Sequence, residues 1–313
     1  MPGLEVQPFA DEHLDAAAEL LAARHRGHRL AEPLLTEPED YRAEVEALWR
    51  EQAGGVVGER DGRVVGFVLG ISKDDGPWGP NVWVDPAGHA VEEAEDLRDL
   101  YAAAAERWVN EGRTRHYAVA PASDGALLEA WYRLSFGQQQ ALGIREVPDA
   151  SMPANVRPAE ERDVEPLVEL GPLLPDHQGG APVFSGWRAL ETEEELRQEV
   201  IDDIANPELG LLVAEENGRV VGGFELAPTT LSPMHSGLAR VDGAVLLTWA
   251  VTRPEVRGSG AGVALTEGCF AWARDHGYEV MVTDWRVTNL LSSRFWPRRG
   301  FRETFLRLYR SIP

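Results

Sequence analysis

The chain has 313 residues, of which 43% are hydrophobic and 26% charged, values typical of a folded protein rather than a disordered one. Its formal net charge of −22 argues against nucleic acid or a membrane as the main partner, because those surfaces attract clustered Lys and Arg. Such a charge suits a cationic partner, although solubility is the more frequent reason for it. The single cysteine, Cys269, excludes a disulfide within the chain. Neither a signal peptide nor an apolar run of roughly 18 residues is visible, so we expect a cytoplasmic protein.

A short strand, two helices and a hairpin are predicted first. Residues 4–8 favour a strand, and the apolar spacing of residues 14–22 predicts a helix, whose basic end at 24–29 we expect to be solvated. A second helix is predicted near 39–52, followed by a hairpin that turns at Asp61-Gly62. The rest of this half alternates strands and helices: a strand at 81–84, a helix at 94–110, a strand at 116–120, a helix at 125–134 and a strand from Phe136.

The same order of elements then begins again. Residues 211–224 repeat the first hairpin, with Asn217-Gly218 as the turn, and the closing Arg299-Gly300-Phe301 echoes Leu134-Ser135-Phe136. A segment rich in proline and small residues separates the two copies. We therefore predict two copies of one α/β unit, at 1–146 and 154–313, joined by a linker at 147–153.

A glycine-rich turn distinguishes the second copy. The apolar run 244–251 predicts a strand and 263–276 an apolar-periodic helix, with Thr252 to Gly262 between them. Backbone N–H groups at such a turn and at the first helical turn have no intrahelical partner, and glycine lets a ligand approach them closely. This pattern predicts an anion site, with a fixed positive charge from the arginine, at Arg257, Gly258, Ser259, Gly260, Ala261 and Gly262.

The first copy carries carboxylates at the same place. One alignment of the copies puts Glu95 opposite Gly260, and another puts Glu92 there. A carboxylate repels an anion and lacks the backbone freedom of glycine. We therefore expect the first copy to be a scaffold or a wall of the acceptor cleft.

Two blocks of the second copy resemble the GCN5-related N-acetyltransferase (GNAT) superfamily. Residues 257–262 match the Arg/Gln-x-x-Gly-x-Gly/Ala signature of that family, between a strand and a long helix. The strand 280–285, Asn289 and the run 294–301 are similar to its Asn…Phe-Tyr…Gly-Phe block. The resemblance implies an α/β fold of two tandem GNAT domains, each a mixed, mostly antiparallel sheet flanked by helices, with a degenerate N-terminal copy.

This resemblance also implies an activity, namely acetyl transfer from acetyl-CoA to an amine acceptor, which could be a small molecule or a peptide. The glycine-rich loop would bind the pyrophosphate, Val251 and Thr252 would splay and pair with pantetheine, and Asn289 would bond the pantetheine arm. No metal, nucleic acid or membrane is expected to take part, and the protein would be a monomer or a homodimer.

The chain departs from the family at the proton donor. Trp296 stands where the family places the tyrosine that protonates the thiolate, and an indole cannot deliver that proton. Ser292, which we also count among the CoA-contacting residues, or Ser293 could stand in, as could water, or the thiolate could leave unassisted. A non-catalytic acyl-CoA-binding or regulatory module is therefore the alternative function.

The general base is also not obvious from the sequence. No acidic residue lies in 244–252, so Glu225, at the end of the strand 220–226, is the first candidate. Asp242, Asp284 and a surface His235 are weaker ones. Four tryptophans could line an acceptor cleft, although core packing is the more frequent role of such residues: Trp187, Trp249, Trp285 and Trp296.

Overall fold

The computed structural model describes residues 3–51, 54–74, 79–185 and 192–313, which form two compact units. Unit 1 extends to Leu142 and also contains His235–Arg240 and Glu303–Pro313. Unit 2 consists of Gly143–Met234 and Val241–Arg302. Within the described ranges, the helices are too short or too polar to cross a membrane.

The first half of the chain follows the predicted order of elements. The Asp40 side chain caps the second helix by accepting from the N–H groups of Arg42 and Ala43. The elements are β1 (Glu5–Pro8), α1 (Leu14–Ala31), α2 (Tyr41–Arg50), β2 (Gly54–Arg60), β3 (Arg63–Lys73), β4 (Asn81–Val84), β5 (His89–Val91), α3 (Asp96–Asn110), β6 (Arg115–Pro121), α4 (Gly125–Arg133) and β7 (Gly137–Glu146).

The second half repeats that order, with one helix more before its hairpin and one strand in place of two after it. Thr192 and Glu195 form a capping box at the start of the helix that immediately precedes this hairpin. The elements are β8 (Val156–Pro158), α5 (Val164–Leu170), α6 (Leu173–Gly179), α7 (Glu193–Ala205), β9 (Gly210–Glu216), β10 (Arg219–Pro228), β11 (Ala244–Thr252), α8 (Ala261–Asp275), β12 (Val280–Arg286), α9 (Ser292–Arg298) and β13 (Arg302–Ser311).

Both hairpins turn as predicted. Asp61 and Gly62 have φ of 53° and 73°, and Asn217 and Gly218 have φ of 53° and 76°. Two successive residues with positive φ give the turn whose twist matches that of the flanking strands, and Asp-Gly and Asn-Gly favour it.

The sheet of unit 1 has the order β1-β2-β3-β4-β6-β13-β7, with β5 also paired to β3. Its strands are antiparallel except that β4 runs parallel to β6. The strand beside β6 is thus β13, from the far end of the chain, and its pairing runs from Phe305–Pro121 to Ser311–Arg115. Large aromatic side chains such as Trp108 and Trp131 fill the core of this unit.

The sheet of unit 2 has the order β7-β12-β11-β10-β9-β8, where β7 contributes its last residues, from Gly143 onward. Here β11 is antiparallel to β10 and parallel to β12. Helix α8 packs on β9 and β10, and Cys269 within it is buried as expected of a core cysteine. Both units have a mixed, mostly antiparallel sheet with helices, as predicted.

The compact units do not follow the boundaries drawn from the sequence. The domains 1–146 and 154–313 and the linker 147–153 remain a prediction about the repeat in sequence, whereas in space β13 and His235–Arg240 join unit 1. Pairing between strands that are far apart in the sequence leaves no local pattern. The sequence alone therefore does not distinguish a chain whose last strand joins unit 1 from one that folds into two self-contained copies.

The basic end of α1 is solvated only in part, with Arg26 exposed, in contrast to the prediction. His25 and His28 are buried, the latter with 3% of its surface exposed, and the His28 ring contacts the edge of Phe305. The Arg24 guanidinium donates to the backbone carbonyls of Pro86 and His89. The cluster of charged and imidazole side chains predicts a solvated helix end, but the helix continues to Ala31 and buries His25 and His28.

Candidate functional site

Strands β11 and β12 separate part-way along their length. Their parallel pairing runs from Ala244–Val280 to Leu247–Thr283 and goes no further, although β11 continues to Thr252. The Thr283 hydroxyl donates to the Leu247 carbonyl at 3.1 Å, at the point of separation. The edge of β11 from Thr248 to Thr252 therefore lies open to a ligand strand, and it includes the predicted Val251 and Thr252.

The glycine-rich loop connects this open edge to helix α8. Gly258 and Gly260 have φ of 87° and 103°, in the left-handed region that L side chains rarely adopt. Gly260 is the N-cap of α8, and a Cβ built on it would have no heavy atom within 4 Å. The glycines at these two positions are thus required by the backbone conformation, and the space before the helix is empty of protein.

Backbone N–H groups of the loop divide into two sets. Those of Arg257 and Ser259 donate to the carbonyls of Pro254 and Val256. The N–H groups of the second set have no acceptor among the described residues; these are the N–H groups of Gly258, Gly260, Gly262 and Val263. Unpaired donors at a helix N-terminus form an anion site, and the exposed Arg257 adds positive charge.

A carboxylate also lies at this loop. The Ser259 hydroxyl donates to Glu216 Oε1 at 3.0 Å, and Ala261 N–H lies 3.4 Å from the same hydroxyl oxygen. Ser259 thus ties the loop to the end of β9, and its hydroxyl is already occupied by protein. The side chain shapes the loop, while the neighbouring glycines offer the free donors.

Asn289 lies on the other side of the separated strands, just before α9. Only 4% of its surface is exposed, and its Oδ1 accepts from the N–H groups of Leu291 at 3.0 Å and Ser292 at 3.4 Å. The Ser293 hydroxyl donates to the Asn289 carbonyl at 2.6 Å, so it is engaged. The Ser292 hydroxyl oxygen is buried without a partner among the described residues. Of the two serines, Ser292 is the one left able to act.

Trp296 is a core residue. It is 5% exposed and packs against Phe224 and Phe301, with ring centroids 6.0 and 5.5 Å away. Trp285 is buried as well, and Trp249 packs against the hydrophobic cluster around Leu167 and Val251. Trp187 lies outside the described residues. The prediction that such aromatics form the core is confirmed for Trp285 and Trp296, whereas Trp249 is only partly buried.

Glu225 lies on β10 beside an irregularity in β11. The register places Glu225 opposite Trp249 and Leu226 opposite Leu247, so Thr248 is an extra, bulged residue. The Thr248 hydroxyl donates to Glu225 Oε1 at 2.7 Å. Burial raises the pKa of Glu225, the Thr248 hydrogen bond opposes this, and the charge of Glu199 adds to it. The carboxylate is held in place and binds a proton more readily than an exposed one.

A second carboxylate is coupled to Glu225. Burial, followed by the charges of Glu225 and Asp202, raises the pKa of Asp203 to about 6. Asp202, Asp203 and Glu199 all belong to α7, so this helix and β10 together bring several negative charges to one region. Such a region favours a cationic amine over a neutral or anionic molecule.

The weaker base candidates are placed differently. His235 is buried rather than on the surface, and it belongs to unit 1. Asp242 is exposed in the turn before β11, and Asp284 is half-buried on β12. Of the four, Glu225 is the one on β10, opposite Trp249 of β11, whereas Asp284 directly follows Thr283, where β11 and β12 separate.

Sequence reasoning missed one residue of this region, His177 on α6. Its Nε2 lies 3.1 Å from Asn289 Oδ1, and α6 packs against β11. The helix is short, between a proline and a glycine, and no motif marks it. The one signal in the sequence is the presence of a histidine in the helical segment before the second hairpin.

The corresponding connection in unit 1 is shorter. Gly66 pairs with Val91 as Gly222 pairs with Thr252, and the following N–H groups, of Glu92 and Arg253, donate to β3 and β10 in the same way. The chain then needs only residues 92–95 to reach α3, but 253–260 to reach α8.

This register decides between the two alignments of the copies. Glu95 is the N-cap of α3 as Gly260 is of α8, and its φ of −65° is that of an ordinary residue. Glu92 corresponds to Arg253 and forms an ion pair with Arg63, while Glu95 pairs with Arg98. Unit 1 has neither the length of chain nor the free charge for an anion loop at this place.

Comparison with known proteins also distinguishes the second half of the chain from the first. Residues 181–301 match the model of the acetyltransferase (GNAT) family. This segment is a GNAT domain. It contains the open edge of β11, the loop with its unpaired N–H groups, and Asn289. No curated protein matches the chain significantly.

Solved structures extend the likeness in fold beyond the GNAT domain. A GCN5-related N-acetyltransferase from Sphaerobacter thermophilus is 15% identical, with a TM-score of 0.59 over 98% of this chain and 95% of that one. A tandem GNAT protein from the clavulanic acid biosynthesis pathway is 16% identical, with a TM-score of 0.51 over 99% of both chains. At these identities the likeness concerns the fold, and it covers both units.

Proposed function

We propose that the protein transfers an acetyl group from acetyl-CoA to an amine acceptor, a small molecule or a peptide, and that unit 2 alone binds the donor. The observation that carries this proposal is the open edge of β11 leading directly to a loop of unpaired N–H groups. Family membership makes N-acyl transfer the class of activity, and the donor and acceptor are our inference.

The loop supports the binding of a pyrophosphate. Unpaired N–H groups at Gly258, Gly260 and Gly262 and the guanidinium of Arg257 would neutralise it. The amides of pantetheine would pair with the open edge of β11, from Thr248 to Thr252, as an added strand. Asn289 would meet the arm from the other side, and Ser292 is the first residue of α9. No metal enters this scheme, and the described residues hold no cluster of metal-ligating side chains.

Glu225 is the proposed general base. The ammonium form of an alkylamine must lose a proton before its nitrogen can attack, and its pKa is roughly 10. A carboxylate of raised pKa, fixed by Thr248 and facing a negatively charged region, accepts that proton and attracts the cation. A backbone N–H of β11 would polarise the thioester carbonyl.

We expect Glu225→Gln to lower kcat by about 100-fold, with the Kd for acetyl-CoA unchanged, because removal of a general base slows proton transfer and leaves the loop intact. Thiol release from acetyl-CoA with spermidine, glucosamine and a lysine-bearing peptide measures this. The matched control is Glu208→Gln, an exposed carboxylate of unit 2, which should behave as wild type. A Glu225→Gln enzyme with undiminished kcat would contradict the assignment.

The pH dependence of kcat/KM tests the same assignment of Glu225 as the general base. The base works only when it is ionised, so kcat/KM falls as pH drops through the pKa of Glu225, which burial has raised. That acidic limb should disappear in Glu225→Gln.

A non-catalytic acyl-CoA-binding module is the second candidate, favoured by the burial of Trp296 where the family has a proton donor. Wild-type protein that binds acetyl-CoA, yet releases thiol at the background rate with each of these amines, would support that reading. Absence of acetyl-CoA binding would remove both.

A further inference from the structure

We propose that His177 carries the proton from the attacking amine to the departing thiolate, in place of the missing tyrosine. This inference rests on the proposed transfer reaction. His177 lies on α6, which packs against β11, and its Nε2 is 3.1 Å from Asn289 Oδ1. The imidazole therefore contacts Asn289 after β12 and belongs to a helix that packs against β11, and we place the thioester of a bound donor in this region.

The tautomer of His177 follows from its partner. Asn289 Oδ1 accepts from two backbone N–H groups, those of Leu291 and Ser292. Backbone N–H groups only donate, so they fix the orientation of the Asn289 amide with its oxygen toward them. An amide oxygen only accepts, so the third partner, His177 Nε2, must carry a hydrogen.

A neutral imidazole with its hydrogen on Nε2 has a lone pair on Nδ1. Within the part of the chain that the structure describes, Nε2 makes the one hydrogen bond of this side chain. Nδ1 is thus available to accept a proton. The same bond to Asn289 holds the ring in place, as the orienting partner of a catalytic histidine does.

The alternatives on α9 are poorer donors. Trp296 is buried among Phe224 and Phe301, and the Ser293 hydroxyl already donates to the Asn289 carbonyl. The Ser292 hydroxyl is unpartnered among the described residues, but a free hydroxyl is a far weaker acid than an imidazolium. Of these side chains, His177 is the one with a nitrogen lone pair that can accept a proton and then donate it.

The proton balance closes without a further reactant. Glu225 first takes one proton from the ammonium and passes it to solvent. The amine nitrogen then attacks, a C–N bond forms, and the carbonyl electron pair moves onto oxygen. Nδ1 of His177 takes the second proton from nitrogen. When the carbonyl re-forms, the C–S bond breaks with its electron pair on sulfur, and the imidazolium protonates that sulfur.

Two variants of the full-length protein separate proton transfer from positioning. His177→Gln keeps an N–H donor for Asn289 Oδ1 but cannot exchange a proton, whereas His177→Ala loses both properties. We expect kcat to fall by about 100-fold in each, and the Kd for acetyl-CoA to stay within about twofold in His177→Gln. Wild-type kcat in His177→Gln together with a lowered kcat in His177→Ala would make His177 a positioning residue and overturn the proposal. Wild-type kcat in both variants would also overturn it.

A spectroscopic measurement needs no turnover. Side-chain ¹⁵N resonances of His177, assigned by their loss in His177→Gln, should show a protonated Nε2 and an unprotonated Nδ1 in the ligand-free protein at neutral pH. The opposite tautomer would overturn the proposal. Wild-type protein that acylates none of the amines refutes the proposed function and, with it, this role. Transfer by wild type with an unaffected His177→Gln refutes this role alone.

Discussion

Gly260→Glu should abolish acetyl-CoA binding. The change forces an L residue into φ of 103°, at a cost of about 1–2 kcal/mol, and places a carboxylate at the helix N-terminus where the pyrophosphate would lie. In wild type, acetyl-CoA at about 100 times its Kd should add about 2.7 kcal/mol to the free energy of unfolding. We expect that gain, read as a rise in Tm, to vanish in the variant.

The matched control for this variant is Gly277→Glu, at the other end of α8. Gly277 also has a positive φ, 79°, and open space where a Cβ would be, so strain and added charge are alike. It should lower Tm to a similar extent while keeping the full response to acetyl-CoA. An undiminished acetyl-CoA shift in Gly260→Glu would remove the loop from the site.

Unit 1 should lose stability steeply in mild acid. Burial is the main cause that lowers the pKa of His28 and His89 to about 3 and of His235 to about 4. Burial also lowers the pKa of His25 and His116. Below about pH 6.5 the unfolded chain binds protons at these histidines, and the folded chain does not. The free energy of unfolding therefore falls as the pH drops from about 6.5 toward the pKa values of the histidines in the folded protein.

The size of this effect is large. Each of the three strongest cases costs about 2 kcal/mol at about pH 5, against a typical total of about 5–15 kcal/mol. Urea unfolding between pH 8 and about pH 5 measures it. His28→Leu should reduce this loss by about 2 kcal/mol, because it removes one of the three imidazoles whose pKa burial lowers most. A urea midpoint that stays constant over this range would contradict the prediction.

Local signals in the sequence were sufficient for the loop and the hairpins. Glycine at 258 and 260 and the Asn-Gly and Asp-Gly turns predict positive φ, and the structure has it at each of these positions. Strand and helix order follows from apolar periodicity. These features depend on a few neighbouring residues, which is why one sequence suffices to predict them.

Features that depend on distant pairing were not predictable. The sequence left Glu92 and Glu95 as equal alternatives, and only the register of Val91 with Gly66 chooses between them. The bond between His177 and Asn289 joins residues far apart in the chain and belongs to no motif. His28 packs against Phe305, at the other end of the sequence.

The position of β13 in unit 1 also has a consequence for how the protein is made. A ribosome releases residues 3–142 long before it reaches Glu303–Pro313, the segment that fills the place beside β6. Until then the edge of β6 is unpaired, and an open edge strand is a template for pairing with other chains. The sheet of unit 1 is thus completed only when the end of the chain has been synthesised. Until then, rapid synthesis or a chaperone would be needed to keep the edge of β6 from aggregating.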